Sequence, residues 1–223
     1  MKQEDKYAGF APILLGVAHE FRNPMQGIMA SLAVLRSRLE EDESAKPFLD
    51  MIQKNNSRIN DLINQLLELT HPIQMDPEPH SIPRLVEEAI NGVEDERRVR
   101  NGVIRLTSKK SSASSKADGQ MLRKAFSALL QNAVESKDTG PHVEILVEGN
   151  DQELTVKIRD DGDGIQEKDL PRIFEPFFST RPRKAGLGLC LADRIIHAHG
   201  GEIQVNSNQE NGTEVTVRLP VVL

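Results

Sequence analysis

The apolar residues of this chain keep two different rhythms, and the change between them decides what it can fold into. Over residues 13–40, Leu14, Phe21, Ile28 and Leu35 recur every seven residues, and so do Ala18, Met25, Leu32 and Leu39. Together they give the alternating four-three spacing of a coiled-coil or bundle seam. Residues 47–70 repeat the pattern with Phe48, Ile52, Ile59, Leu62, Leu66 and Leu69. Asn55 falls on that seam as a polar insert able to fix register. "EEDESAKP" between the two runs is a polar turn whose Pro47 suits the start of a second helix. A hairpin with one apolar stripe per helix does not close a core, whereas a dimer contributing four helices does.

"HPIQMDPEPHSIP" (71–83) holds four prolines and reads as a stiff linker or hinge. Beyond it the spacing predicts a helix over 83–97, a short strand at 103–107, a loop over 109–119 and a helix over 120–137. "HVEILVEG" and "ELTVKIRD" then alternate as strands, a helix follows at 187–199, and "EIQVNS" and "TEVTVRLP" close the chain. The expected class is α+β: a dimeric helical hairpin forming a four-helix bundle over 1–76, then an α/β two-layer sandwich over 77–223.

Composition narrows the function classes. With 28 basic and 34 acidic residues the net charge is -6, which disfavours a general nucleic-acid binder, and the lack of Trp with a single Tyr leaves no stacking platform for single strands. No run of 18 apolar residues exists to span a bilayer. "MKQEDKYAGF" lacks the apolar core of a signal peptide, and the one cysteine, Cys190, makes no intrachain disulfide, so a cytoplasmic location is expected.

"AHEFRNPMQGI" (18–28) raises a chemical question, because Pro24 stands inside a helical pattern at a cost of about 3 kcal/mol. His19 follows Ala18 on the seam and is expected at the bundle's edge with its ring open to solvent. A lone "HE" is most simply a surface histidine, and HExxH zinc binding fails because position 23 is Asn. The functional reading is a nucleophile: a carboxylate at Glu20 accepts the proton on one ring nitrogen and raises the nucleophilicity of the other. Asn23, one turn on, can orient a water. Pro24 removes the partner of the Glu20 carbonyl, and a bend there would expose the ring.

The second part carries a nucleotide pocket with no Walker motif, and "GLGLCL" (186–191) lacks the third glycine of a dinucleotide fingerprint. Counted as an EF-hand from Asp161, "DDGDGI" places Ile165 and Arg172 where oxygen ligands are needed. Asp160, at a strand's end, can instead accept a hydrogen bond from adenine's exocyclic amine, and guanine would leave it unpaired. Gly162 and Gly164 let backbone approach a base. Gly186 and Gly188 open a helix whose N-terminus favours phosphate. A side-chain oxygen of Asn132 can complete the shell of a phosphate-bound Mg²⁺. "FEPFFSTRPRKA" (174–185) fits a lid, with Arg181, Arg183 or Lys184 near the phosphates.

In that order, "AHEFRNP", "LLQNAVES", "DDGDGI", "FEPFF", "GLGL" and "NGTEVTVRLP" resemble the H, N, first G, F, second G and closing elements of bacterial two-component sensor histidine kinases, from about residue 10 to 220. The wording of the first motif and the short lid look most like the nitrogen-regulation type. The resemblance implies a dimerising phosphotransfer hairpin and an ATP-binding domain of the Bergerat (GHKL) fold. It implies that His19 takes the γ-phosphoryl group of ATP, that Glu20 is its acid/base partner, and that Asn23 positions water for dephosphorylation of the partner. It assigns the adenine amine to Asp160 and Mg²⁺ to Asn132. Gly162, Gly164, Gly186 and Gly188 shape the pocket and lid, and Thr213 joins the adenine-side network. The implied partners are a second copy of the chain, a response-regulator receiver domain, and an upstream sensor domain or protein absent from this chain. Two rivals stand beside this reading: a phosphotransfer or scaffold protein with an inactive nucleotide domain, and another GHKL-type ATPase. Three departures from the family pattern are Ala128 in place of a second Asn, Glu135 where relatives with longer lids carry a base-contacting lysine, and "RKA" in place of glycines before Gly186.

Overall fold

The computed structural model describes residues 11–39, 42–69, 72–109, 114–181 and 184–222, with the side chains of 11–15 and of residue 19 outside that set. The chain divides into two compact units, Met1–Pro72 and Ile73–Leu223.

The first unit is a hairpin of α1 (Ala11–Arg38) and α2 (Lys46–Glu68). Asp42 forms the turn by accepting the backbone N–H and the hydroxyl of Ser44, and Pro47 occupies the first turn of α2, where a missing N–H costs nothing. Helix α1 runs unbroken through Pro24. Of its two heptad series, Ala18, Met25 and Leu32 are buried, while Phe21, Ile28 and Leu35 remain exposed. Leu14, the first of that second series, has its side chain outside the described residues. In α2 the buried row is Leu49, Asn56 and Ile63, again seven apart. The expected seam holds at its end, where Leu69 is buried and Leu62 and Leu66 are half-buried, but the polar insert is one residue on: Asn55 is exposed and Asn56 is buried. Arg22 to Asn64 (2.9 Å), and Arg36 to Asp50 and Gln53, tie the helices along the rim.

The second unit begins with β1 (Glu78–Ser81), which pairs antiparallel with β3 (Ser114–Ala117). Both were expected to lie in irregular segments, the first in a linker running to residue 83 and the second in a loop over 109–119. Proline is tolerated at a strand's edge, so Pro79 fits β1, and Pro83 fits the first turn of α3 (Ile82–Gly92). The helix expected over 83–97 is two: α3, and α4 (Glu94–Val99). Val93 leaves the helical region between them at φ -110°, ψ 8°.

The main sheet holds β2 (Val103–Ser108), β4 (His142–Gly149), β5 (Glu153–Asp160), β6 (Glu202–Asn208) and β7 (Gly212–Pro220). Its order is β2-β4-β5-β7-β6, with β2 parallel to β4 and every other pair antiparallel. The parallel pair is joined through α5 (Gly119–Val134), the crossover such a pair requires. Alternate residues of β4 and β5 (Val143, Ile145, Val147; Leu154, Val156, Ile158) are buried beneath α3, α5 and α6 (Gly188–Ala198), giving a two-layer sandwich around Phe126, Leu122 and Ile196.

Asp118 is a junction in this unit. Its carboxylate caps α5 by accepting from Gln120 and Met121 and also accepts the Asp76 N–H, while its own N–H donates to Nε2 of His199 at the end of α6. Burial works against the ionised carboxylate, and the hydrogen bonds from Met121, Asp76 and Gln120 outweigh it, so Asp118 lies below the ordinary aspartate value. Among the described residues no helix is long and apolar enough to cross a membrane.

Candidate functional site

Two groups of residues converge, one in each unit. In the hairpin, His19 lies within α1, and its ring, expected at the bundle's edge, falls outside the described side chains. Glu20 and Asn23 are exposed on the same helix, between the buried Ala18 and Met25. Asn23 follows His19 by about one turn, so both lie toward one face.

In the sandwich the site gathers at the end of β5. Asp160 is that strand's last residue, is 6% exposed, and stands opposite Thr213 of β7. Its Oδ1 accepts the Gly162 N–H at 2.9 Å. Burial pushes its carboxyl above the ordinary aspartate value, against the opposing pull of the Gly162 N–H, Ser136, the Thr213 backbone and the positive charge of Arg181. Asp161 turns the other way, accepting the His142 N–H (2.8 Å) and the Lys137 ammonium (2.7 Å). The paired acids thus divide the work: Asp161 fastens the loop outside and Asp160 faces inward.

Gly162 is forced by a close approach, since a Cβ there would stand 2.2 Å from the Cβ of Ser136 and 2.4 Å from its hydroxyl. Gly186 is forced by its backbone: φ is +68°, and a Cβ would meet the Phe178 carbonyl at 2.3 Å. Its own carbonyl accepts the Phe177 N–H at 3.1 Å, clasping the "FEPFF" segment to the approach of α6. Gly164 packs against the backbone of Asn208. Gly188 differs, because a Cβ there would meet only Ala128, at an ordinary 3.7 Å. Nothing in the fold demands glycine at 188, so its bareness keeps the first turn of α6 open. That turn has no side-chain cap on its donors and no acidic residue.

Asn132 is exposed on α5. Thr213 Oγ1 meets Ser207 Oγ at 2.8 Å, and Ser207 in turn accepts the Ile165 N–H and donates to the Gly212 carbonyl. Arg181 is partly buried, and its charge is felt at Asp160. Arg183 lies outside the described residues. Lys184 is paired with Glu135, at the C-terminal end of α5.

Sequence reasoning missed Ser136 and Ser207, and it did not foresee that Lys184 pairs with Glu135. Ser136 had a faint signal, lying four residues after Asn132 and so one turn further along the same face. Its Oγ is buried beside the Asp160 carboxylate yet completes no hydrogen bond of ordinary geometry among the described residues. A buried carboxylate acceptor next to a hydroxyl fits the polar edge of an adenine. Among the described residues no cluster of three or more His, Cys, Asp or Glu is arranged to hold a metal. Asn132 as a lone protein donor fits a hard cation held mainly by phosphates and water.

The chain is thus a hairpin with a histidine in its first helix, followed by an open sandwich with an inward aspartate and an uncapped helix start. Residues 13–72 match the His Kinase A (phospho-acceptor) domain, and residues 117–223 match the Histidine kinase-, DNA gyrase B-, and HSP90-like ATPase family. The chain belongs to the histidine kinase family. It is 32% identical over 221 residues to Sporulation kinase A of Bacillus subtilis, covering 99% of this chain and 36% of that one, so it spans about a third of that relative's length. Histidine kinase ThkA, solved in complex with response regulator protein TrrA, is 25% identical with a TM-score of 0.69 over 95% of this chain and 61% of that one. Full-length ShkA in complex with AMPPNP shares the fold with a TM-score of 0.79 over 95% of this chain and 46% of that one, at 23% identity.

Proposed function

We propose that this chain is an ATP-dependent protein histidine kinase that phosphorylates His19 and passes the phosphoryl group to an aspartate of a response regulator. The observation that carries the reading is the Asp160–Ser136–Gly162 corner, where a buried carboxylate and an unsatisfied hydroxyl wait at the end of a strand. Residues 1–76 serve as the phosphoacceptor and dimerisation hairpin, and 77–223 as the ATP-binding domain.

In this reading Asp160 accepts the adenine amine, with Ser136 and the Thr213–Ser207 pair completing the polar edge. The uncapped start of α6, kept bare by Gly188, offers its N–H groups to the phosphates. Mg²⁺, held through Asn132, would neutralise charge on the transferring group. One ring nitrogen of neutral His19 attacks the γ-phosphorus as the bond to the bridging oxygen breaks and ADP departs. The proton on the other nitrogen is shared with Glu20, which keeps the attacking nitrogen basic. Asn23 orients the water that attacks the regulator's aspartyl phosphate and releases inorganic phosphate when the chain acts as a phosphatase. ThkA's complex with a response regulator and ShkA's with AMPPNP support the two ends of the reaction by analogy. The exposed Phe21, Ile28, Phe48 and Ile59 support a homodimer through the hairpin. A lone buried cysteine and the use of ATP support a cytoplasmic setting.

The test is incubation with γ-labelled ATP and Mg²⁺, followed by mapping of the labelled side chain. Acid-labile, base-stable label on His19, lost in His19→Gln with ATP binding retained, is the expected result. Label that persists in the variant moves the acceptor elsewhere. ATP turnover without any protein label favours the plain ATPase.

A further inference from the structure

Lys184 is the middle residue of the "RKA" that precedes Gly186, and the structure gives it a specific partner. Glu135 closes α5, its side chain is 5% exposed, and both its oxygens face the Lys184 ammonium; Gln131 Nε2 also donates to Oε1 at 3.0 Å. Glu135 stands about one turn beyond Asn132 on α5 and next to Ser136, which touches Gly162. Lys184 lies two residues before Gly186 and four before the uncapped start of α6. The pair therefore joins the helix that bears the proposed metal-side asparagine to the segment leading into the proposed phosphate end.

We propose that Glu135 is a positioning residue that stores the Lys184 ammonium beside the nucleotide pocket, and that the phosphates of bound ATP take it over. The inference rests on the ATP-binding reading and deepens it. A carboxylate offers one negative charge, whereas a triphosphate offers several, so the exchange favours the nucleotide once it arrives. Removing a lysine from a buried carboxylate usually leaves a costly unpaired charge. Here that cost is softened, because Glu135 keeps the Gln131 amide and lies within the field of the Arg100 guanidinium. The stored pair makes part of the binding energy of ATP conditional on the phosphates. Adenosine, which has none, leaves the pair intact. The pair thereby sharpens discrimination between a nucleoside and its triphosphate.

The experiment titrates the full chain with ATP and with adenosine, in the presence of Mg²⁺, for the wild type, Glu135→Gln, Lys184→Ala and the double variant. Glu135→Gln is expected to tighten ATP binding by about threefold to tenfold, and Lys184→Ala to weaken it by about tenfold, with adenosine unchanged in both. The gain from Glu135→Gln should shrink when Lys184 is absent. Adenosine binding also reports that each variant keeps its pocket, and Lys184, being partly exposed, tolerates replacement. ATP and adenosine affinities that move together would assign the pair a purely structural role. An equal gain in both Lys184 backgrounds would reduce the effect to simple repulsion by Glu135. Either result overturns the proposal while leaving ATP binding intact. A wild-type chain that binds neither ligand would remove the nucleotide reading and this inference together.

Discussion

The two units are unfinished in opposite ways. The sandwich completes its apolar core within itself, with Phe126, Leu122, Leu130 and Val134 shut off from solvent, and leaves polar capacity open at Ser136 and around Asp160. The hairpin does the reverse. It ties off its rim with Arg22–Asn64 and Arg36–Asp50, but leaves Phe48 67% and Phe21 54% exposed. An open apolar row is satisfied by another apolar surface, and an open polar corner by a hydrogen-bonding ligand. The kind of residue left unsatisfied therefore tells the two kinds of partner apart.

The comparison breaks most visibly at Asp160. Asp160→Asn replaces an acceptor by a group that turns a donor toward the adenine amine, and it should weaken ATP binding by about a hundredfold. Calorimetry would read this, with circular dichroism confirming that the fold persists. Retained affinity would mean that the polar corner is not the base site.

The hairpin is tested by Ile28→Glu combined with Phe48→Glu. Charges on the exposed row should convert a dimer to a monomer in sedimentation, and the melting of the 73–223 unit should be unaffected. A variant that remains dimeric would place the second copy on another surface.

The titration of Asp160 gives a finer measurement. Burial raises its carboxyl above 3.8, and only the ionised form is a full acceptor for the adenine amine. Nucleotide affinity should therefore be complete above that raised value and fall as pH drops through it, earlier on acidification than an ordinary aspartate would dictate. The empty fold carries the opposite sign, because protonating a buried carboxyl whose value is raised adds stability. An affinity that holds steady through that window would detach the base from Asp160.

The smallest effect belongs to Asn56, whose buried Oδ1 has no hydrogen-bond partner among the described residues. Asn56→Leu should raise the stability of the hairpin by about 1 kcal/mol, read from its thermal unfolding. Destabilisation would show that the amide is paired in the assembled protein and selects its register.

What was legible in the sequence was local. Asp160 with Gly162, and Gly186 with Gly188, are neighbours in the chain, so a turn and its purpose can be read from a few letters. The two rhythms were legible because helices and strands repeat over short distances. Pairings between distant residues were not. Strand β1 meets β3 across more than 30 intervening residues, and nothing in "EPHS" announces an edge strand. The offset from Asn55 to Asn56 escaped because both lie on a broad apolar stripe, and only packing selects which row turns inward. Ser207 meets the Ile165 N–H, and Lys184 meets Glu135, only through the closing of the fold, and ordinary polar letters do not foretell such meetings.

Asp118 carries one further consequence. The chain arriving from the hairpin fastens by the Asp76 N–H to the same carboxylate that seats the foot of α5, and the Asp118 N–H grips the tail of α6 through His199. Residue 76, the foot of α5 and the tail of α6 are thus held by one residue, so replacing Asp118 should loosen all three together. The tether and the two jaws share one rivet.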